Sequence, residues 1–204
     1  MKDVPLFPLP LVLFPGGKLS LQIFEARYLD MVKTCLREQA GFGIVMITDG
    51  DRILASPDQQ LPEISHCGTY CSIVDFDQSS NGMLSIVVKG DRKFVIRDQY
   101  EQPDRLMMAN VEFLATEKDV VVPEERQHLS ELLESLMVHE AVQRLGLDCD
   151  LGQAVEVGAR LTELLPCPNH FKQRMLEMKD PLERLGELAR LVERMQKSSE
   201  PVSK

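Results

Sequence analysis

At 204 residues, 44% hydrophobic and 27% charged, the chain has ordinary globular composition. A chain of this size buries roughly 70% of its unfolded surface, enough to fold without disulfide or metal staples, but it has no room for an ATPase module and a second catalytic domain together. Thirty-two acidic against 23 basic residues give a net charge of −9. Residues 1–118 carry 12 basic and 16 acidic side chains and residues 119–204 carry 11 and 16, so neither part offers the basic footprint that a phosphate backbone requires. A local strip, Lys89, Arg92, Lys93 and Arg97, is read as the outward face of a hairpin.

The apolar run Val4 to Pro15 is interrupted by Pro5, Pro8, Pro10 and Pro15, which fits neither a signal peptide nor a membrane span. Leu11–Leu13, Leu19–Ile23 and Gly43–Ile47 are short, branched or Leu-rich, and bounded by Pro or Gly, as strands are. Between the last two, Phe24, Tyr28, Met31, Val32, Cys35 and Leu36 recur at helical spacing, with Gly41 as the stop. Beyond a polar loop over residues 55–62 a meander is expected. Thr69–Phe76 turns at Ser79-Ser80-Asn81-Gly82, Met83–Lys89 turns at Gly90-Asp91 into Arg92–Asp98, and Met107–Leu114 closes the series. Seven or eight strands with one inserted helix predict a twisted sheet or partly closed barrel, the helix covering one opening.

Near residue 119 the apolar period changes from two to 3.6. Pro123-Glu124-Glu125 reads as the first turn of a helix that Gly146 ends; a second helix spans about 151–165, and a third carries Phe171, Met175 and Met178. A fourth opens on Asp180-Pro181-Leu182-Glu183, an N-cap acid followed by proline and a capping-box glutamate. The expected organisation is α+β: a β-rich lobe over 1–118, an all-α helical bundle over 119–196 and a flexible tail over 197–204.

Catalytic patterns fail at specific positions. Gly16-Gly17-Lys18 lacks the upstream glycine and the following Ser/Thr of a phosphate loop, since positions 12 and 19 are Val12 and Leu19. His139-Glu140 lacks a second histidine one turn on, where Gln143 stands. No Gly-x-Ser-x-Gly elbow occurs, and none of the four histidines sits in a triad pattern. Cys35, Cys67, Cys71, Cys149 and Cys167 are odd in number and irregular in spacing, so a reduced cytosolic protein is expected, and Cys67 and Cys71, which alternate on one side of a strand, are expected as buried thiols rather than zinc ligands. No cofactor, metal or catalytic residue is expected. Where a strand runs straight into the first helix, Glu25 is placed to satisfy free N–H groups and Arg27 to pair with a carboxylate or with carbonyls of the proline-rich loop.

Val4-Pro5-Leu6-Phe7-Pro8-Leu9, Leu13-Phe14-Pro15-Gly16 and Leu21-Gln22-Ile23-Phe24-Glu25-Ala26-Arg27-Tyr28 together resemble the opening of the Lon protease N-terminal, or substrate-binding, domain family. The resemblance continues through Cys67-Gly68-Thr69, Gly90-Asp91-Arg92-Lys93-Phe94, Leu164-Leu165-Pro166 and Asp180-Pro181-Leu182-Glu183-Arg184-Leu185. It implies a PUA-like pseudo-barrel followed by a helical bundle, and recognition of unfolded or damaged polypeptides. In that family ATP hydrolysis and a Ser–Lys peptidase lie further along a longer chain, so the resemblance transfers a binding role and no catalytic residue. A stand-alone module, serving as adaptor or regulator for a protease partner and touching neither membrane nor nucleic acid, is the expectation. Substrate contacts are expected at Phe14, Met83, Met107 and Met108, with Arg27 and Tyr28 approaching a groove between the lobes. The alternative is a small-ligand or RNA-binding module, since related barrels bind nucleotides.

Overall fold

The computed structural model describes residues 2–53, 59–78 and 83–199. The expected turn at residues 79–82, the first half of the loop at 55–62 and the end of the tail lie outside them. Six strands, β1 (Lys2–Leu9), β2 (Lys18–Ile23), β3 (Phe42–Asp49), β4 (Glu63–Gln78), β5 (Leu84–Glu101) and β6 (Met107–Phe113), form one sheet in the order β2-β5-β4-β3-β1-β6. Because β5 also pairs with β6, the last five close into a barrel, while β2 joins only the first half of β5. That half of β5, with β2 and the end of β4, forms a three-stranded wing.

Among the described residues the strands number six rather than the expected seven or eight, and two further strand expectations are corrected. The first strand is Lys2–Leu9, not Leu11–Leu13. Its ladder to β6 covers Lys2–Pro5 and its parallel ladder to β3 covers Leu6–Leu9, so at Pro5 and at Pro8 one edge of the strand carries no ladder, where a missing N–H is tolerated. Secondly, the chain does not turn at Gly90-Asp91; β5 runs through as one strand. Gly90 is instead where the loop after β1 docks, through Gly16 N–H to Gly90 O (2.8 Å) and Gly90 N–H to Gly17 O (2.9 Å). A Cβ there would collide with Phe14 O, so backbone approaches backbone only at a glycine.

Helix α1 (Ala26–Glu38) packs Tyr28, Met31, Val32 and Cys35 against wing residues Leu21, Ile23, Ile86 and Val88 and barrel residues Phe7, Phe42 and Ile44. Phe24 lies before the helix and is half exposed, and Leu36 is also exposed, so the apolar stripe is narrower than predicted. The stop is Gln39, not Gly41: Gln39 adopts the left-handed conformation (φ 52°).

The helical lobe comprises α2 (Gln127–Met137), α3 (Glu140–Gln143), α4 (Ala154–Leu164), α5 (Asn169–Glu177) and α6 (Pro181–Ser199). The helix predicted to reach Gly146 breaks after Met137, and α3 restarts with His139 as its cap, Nδ1 accepting from Ala141 N–H. Asp180 caps α6 as predicted, Oδ1 accepting from Leu182 N–H at 2.8 Å. The helices share one apolar core with Val12, Phe14, Met46 and Cys67 of the barrel side.

Candidate functional site

Polar locks set the two lobes against each other. Lys93 on β5, buried, donates to Leu176 O (2.8 Å) and Met178 O (3.0 Å) and pairs with Glu117. Arg184 on α6 donates to the same carboxylate, to Met175 O (2.9 Å) and to Met178 O (2.9 Å). Burial alone would raise the Glu117 carboxyl, but bonds and charge from Arg184 and then Lys93 outweigh it and hold it below the ordinary range. A second lock uses Glu163, which accepts from Phe14 N–H (2.7 Å) and pairs with Arg160 (2.6 Å), whose Nη2 reaches Pro15 O (2.6 Å). Here burial prevails over the Arg160 charge and pushes the carboxyl up to about 7. A third is Gln173, whose Nε2 donates to Cys67 O (3.0 Å) and Glu177 (2.7 Å).

These locks fix the walls of an open groove of about 1160 Å³ between the barrel and the end of α5. Half-buried Ile64, Val95 and Leu114 supply apolar surface. Exposed His66 and Arg97 stand on the barrel side, and Glu177 and Lys179 on the helical side. Apolar surface with polar groups of both signs suits an extended polypeptide better than a phosphate-rich ligand. The sequence predicts an interlobe groove but not this lining, and Arg97 reads there only as part of a hairpin face.

The basic strip is largely occupied: Lys93 is in the lock, Arg97 pairs with Glu112 (2.6 Å) and Arg92 lies 4.4 Å from the Phe113 ring centroid. The six residues singled out in the sequence do not converge. Phe14, Tyr28, Met107 and Arg27 are buried, at 1%, 5%, 6% and 8% exposure, and Met83 and Met108 are half-buried. Phe14 packs in the shared core, Met107 in the barrel and Met83 at the tip of the wing, while Met108 lines a separate cleft beside α1. Arg27 donates to Glu25 through Nε (3.1 Å) and Nη2 (2.8 Å) and to Arg105 O through Nη1 (3.0 Å). Glu25 therefore serves Arg27 and caps no helix N–H with its side chain. Tyr28 stacks on Phe7 at 4.2 Å, and burial pushes its phenol up to about 12.

All five cysteines are free. Burial raises the thiols of Cys35 and Cys67 to about 11 and that of Cys71 well above its ordinary value. Among the described residues no group of three or more His, Cys, Asp or Glu is placed to hold a metal ion, and no helix is long and apolar enough to cross a membrane.

Residues 3–194 match the family described as the ATP-dependent protease La (LON) substrate-binding domain. A Lon protease of Cytophaga hutchinsonii is 24% identical over 203 residues, covering 94% of this chain but 24% of the relative's own length. The chain therefore spans about a quarter of that curated relative. A crystal structure of a Lon N-terminal domain protein from Xanthomonas campestris superposes with a TM-score of 0.76 at 32% identity, over 93% of this chain and 98% of the other. The N-terminal domain of a Mycobacterium avium complex Lon protease shares the fold, with a TM-score of 0.60 at 18% identity over 92% and 96% of the two chains.

Proposed function

The chain belongs to the ATP-dependent protease La (LON) substrate-binding domain family, and on that premise we propose that it is a non-catalytic recognition module for unfolded or damaged polypeptides, acting in the cytoplasm as an adaptor or regulator for a protease. The observation that carries this reading is the extent of the match: residues 3–194, nearly the whole chain, correspond to a substrate-binding domain. The interlobe groove supports it as the place where an extended segment lies, with Ile64, Val95 and Leu114 receiving apolar side chains and Arg97, Glu177 and Lys179 engaging backbone or charge. Of the residues singled out in the sequence, Met83 and Met108 keep exposed surface for secondary contacts, while Phe14, Arg27, Tyr28 and Met107 hold the frame.

The test is a fluorescence titration with a permanently unfolded, carboxymethylated protein and with its native form. Binding of the unfolded form at micromolar concentration and not of the native form is expected. No binding at tens of micromolar removes the proposal.

A further inference from the structure

Strand β4 has two halves with different company. From Glu63 to Cys71 it pairs with β3, whose ladder starts at Phe42 opposite Cys71. From Ser72 to Gln78 it pairs, among the described residues, with β5 alone. The side away from β5 is thus an open edge with alternate N–H and C=O groups unclaimed by a ladder. A groove of about 350 Å³ lies against the start of this edge, walled by Leu36 and Gln39 from α1 and its cap and by Ser72 and Ile73 from β4. Val74 and Phe76 are 50% and 60% exposed. Phe76 lies opposite Ile86, which lies opposite Leu21, so it shares the face that α1 covers elsewhere but projects beyond that cover.

Open edges are ordinarily blunted by bulges and charge, and this one is: the register shifts between Ile73 and Asp75, and exposed Asp75 and Asp77 flank Phe76. Asp75 Oδ1 accepts from the N–H of Phe76 at 2.9 Å. These features select rather than close. An incoming strand on this edge lies beside the Asp75 and Asp77 carboxylates, which favour a cation in that strand. A second copy of this chain would bring its own Asp75 and Asp77 to the edge, where like charges repel. A segment with arginine or lysine alternating with apolar residues supplies the cation and fills the Phe76 and Ile73 surfaces.

We propose that β4 from Ser72 to Gln78 is a second recognition site, which binds an extended basic and apolar polypeptide segment as an added β-strand. It rests on the polypeptide-binding reading above but uses a different half of β4 from the groove at residues 63–67, so the two are separable.

The probe is a hexapeptide alternating arginine with valine and phenylalanine, titrated by calorimetry, with two analogues N-methylated on one or the other alternate set of amides. One methylated analogue is expected to lose about tenfold or more in affinity and the other to bind like the parent. Asp75→Lys with Asp77→Lys, and separately Phe76→Ser, should weaken the parent by a similar factor, and a glutamate-for-arginine peptide should not bind. The analogues leave the protein untouched, so a folding defect in a variant cannot decide the result. Equal binding by parent and both analogues, no binding by the parent, or self-association through this edge in sedimentation overturns the proposal. If the carboxymethylated protein binds wild type and edge variants alike while the peptide binds neither, this inference falls and the groove reading stands. If neither that protein nor the peptide binds any of them, both fall; if the peptide alone binds, with the methylation pattern, the groove reading falls and the edge site stands.

Discussion

Arg184 and Glu117 meet through two bonds, Nη1 to Oε2 at 2.8 Å and Nη2 to Oε1 at 2.6 Å, with the guanidinium 1% exposed. Lys93 adds a second buried cation to the same carboxylate. Two buried charges thus depend on one acid in the connection between the lobes. Glu117→Gln leaves both without a counter-charge and is expected to cost about 3–5 kcal/mol, more than Arg184→Met, which leaves the Lys93 pair intact. Urea denaturation measures both. Because the lobes also share an apolar core, unfolding should remain a single transition in the wild type.

The two interlobe carboxylates predict opposite pH effects in separate windows. Glu163 has a folded value of about 7 against an ordinary 4.5. Its contribution to stability is therefore fully present below about 4.5 and is lost as pH rises through 7. Glu117 lies below its ordinary value, so its contribution is present above about 4.5 and is lost as pH falls through the depressed value. For this pair, stability should rise as pH drops from 7 toward 4.5 and then decline. Thermal melts of Glu163→Gln across that range should show the first slope flattened and the second retained.

Gly90→Ala places a methyl group against Phe14 O, in the only backbone contact that fastens the Gly16-Gly17 loop to β5 among the bonds described. A loss of about 1–3 kcal/mol or more is expected, since neither partner is a flexible side chain. Chemical denaturation tests it.

Arg27→Ala removes bonds to Glu25 and to Arg105 O at the start of α1. Destabilisation of about 1–3 kcal/mol with unchanged affinity for unfolded protein is the expected outcome, if Arg27 acts as frame. A loss of affinity in a folded variant would instead make it a contact residue.

Much of this was legible in the sequence because it is local. The Asp180-Pro181 cap, the period change near residue 119 and the α1 stripe from Tyr28 to Cys35 depend on neighbours a few positions away. What was missed depends on distant backbone. Gly90-Asp91 carries a turn composition, and only the arrival of Gly16 and Gly17 makes it the middle of a strand. Pro5 and Pro8 argue against a strand until the staggered ladders of β1 are known. The candidate site was hardest to read. Phe14 and Met107 carry the apolar character of contact residues and are spent in cores, whereas the groove takes its walls from residues more than 100 positions apart, such as His66 and Lys179.

An unfolded polypeptide lying in the groove between barrel and helices would shield backbone on both walls. Hydrogen exchange of the protein with and without saturating carboxymethylated protein tests it most directly. Slowed exchange is expected at residues 63–67 of β4 and at 177–179, from the last residue of α5 onward, with α2 unchanged. Slowing confined to α2 and α3, or none despite saturation, would contradict it.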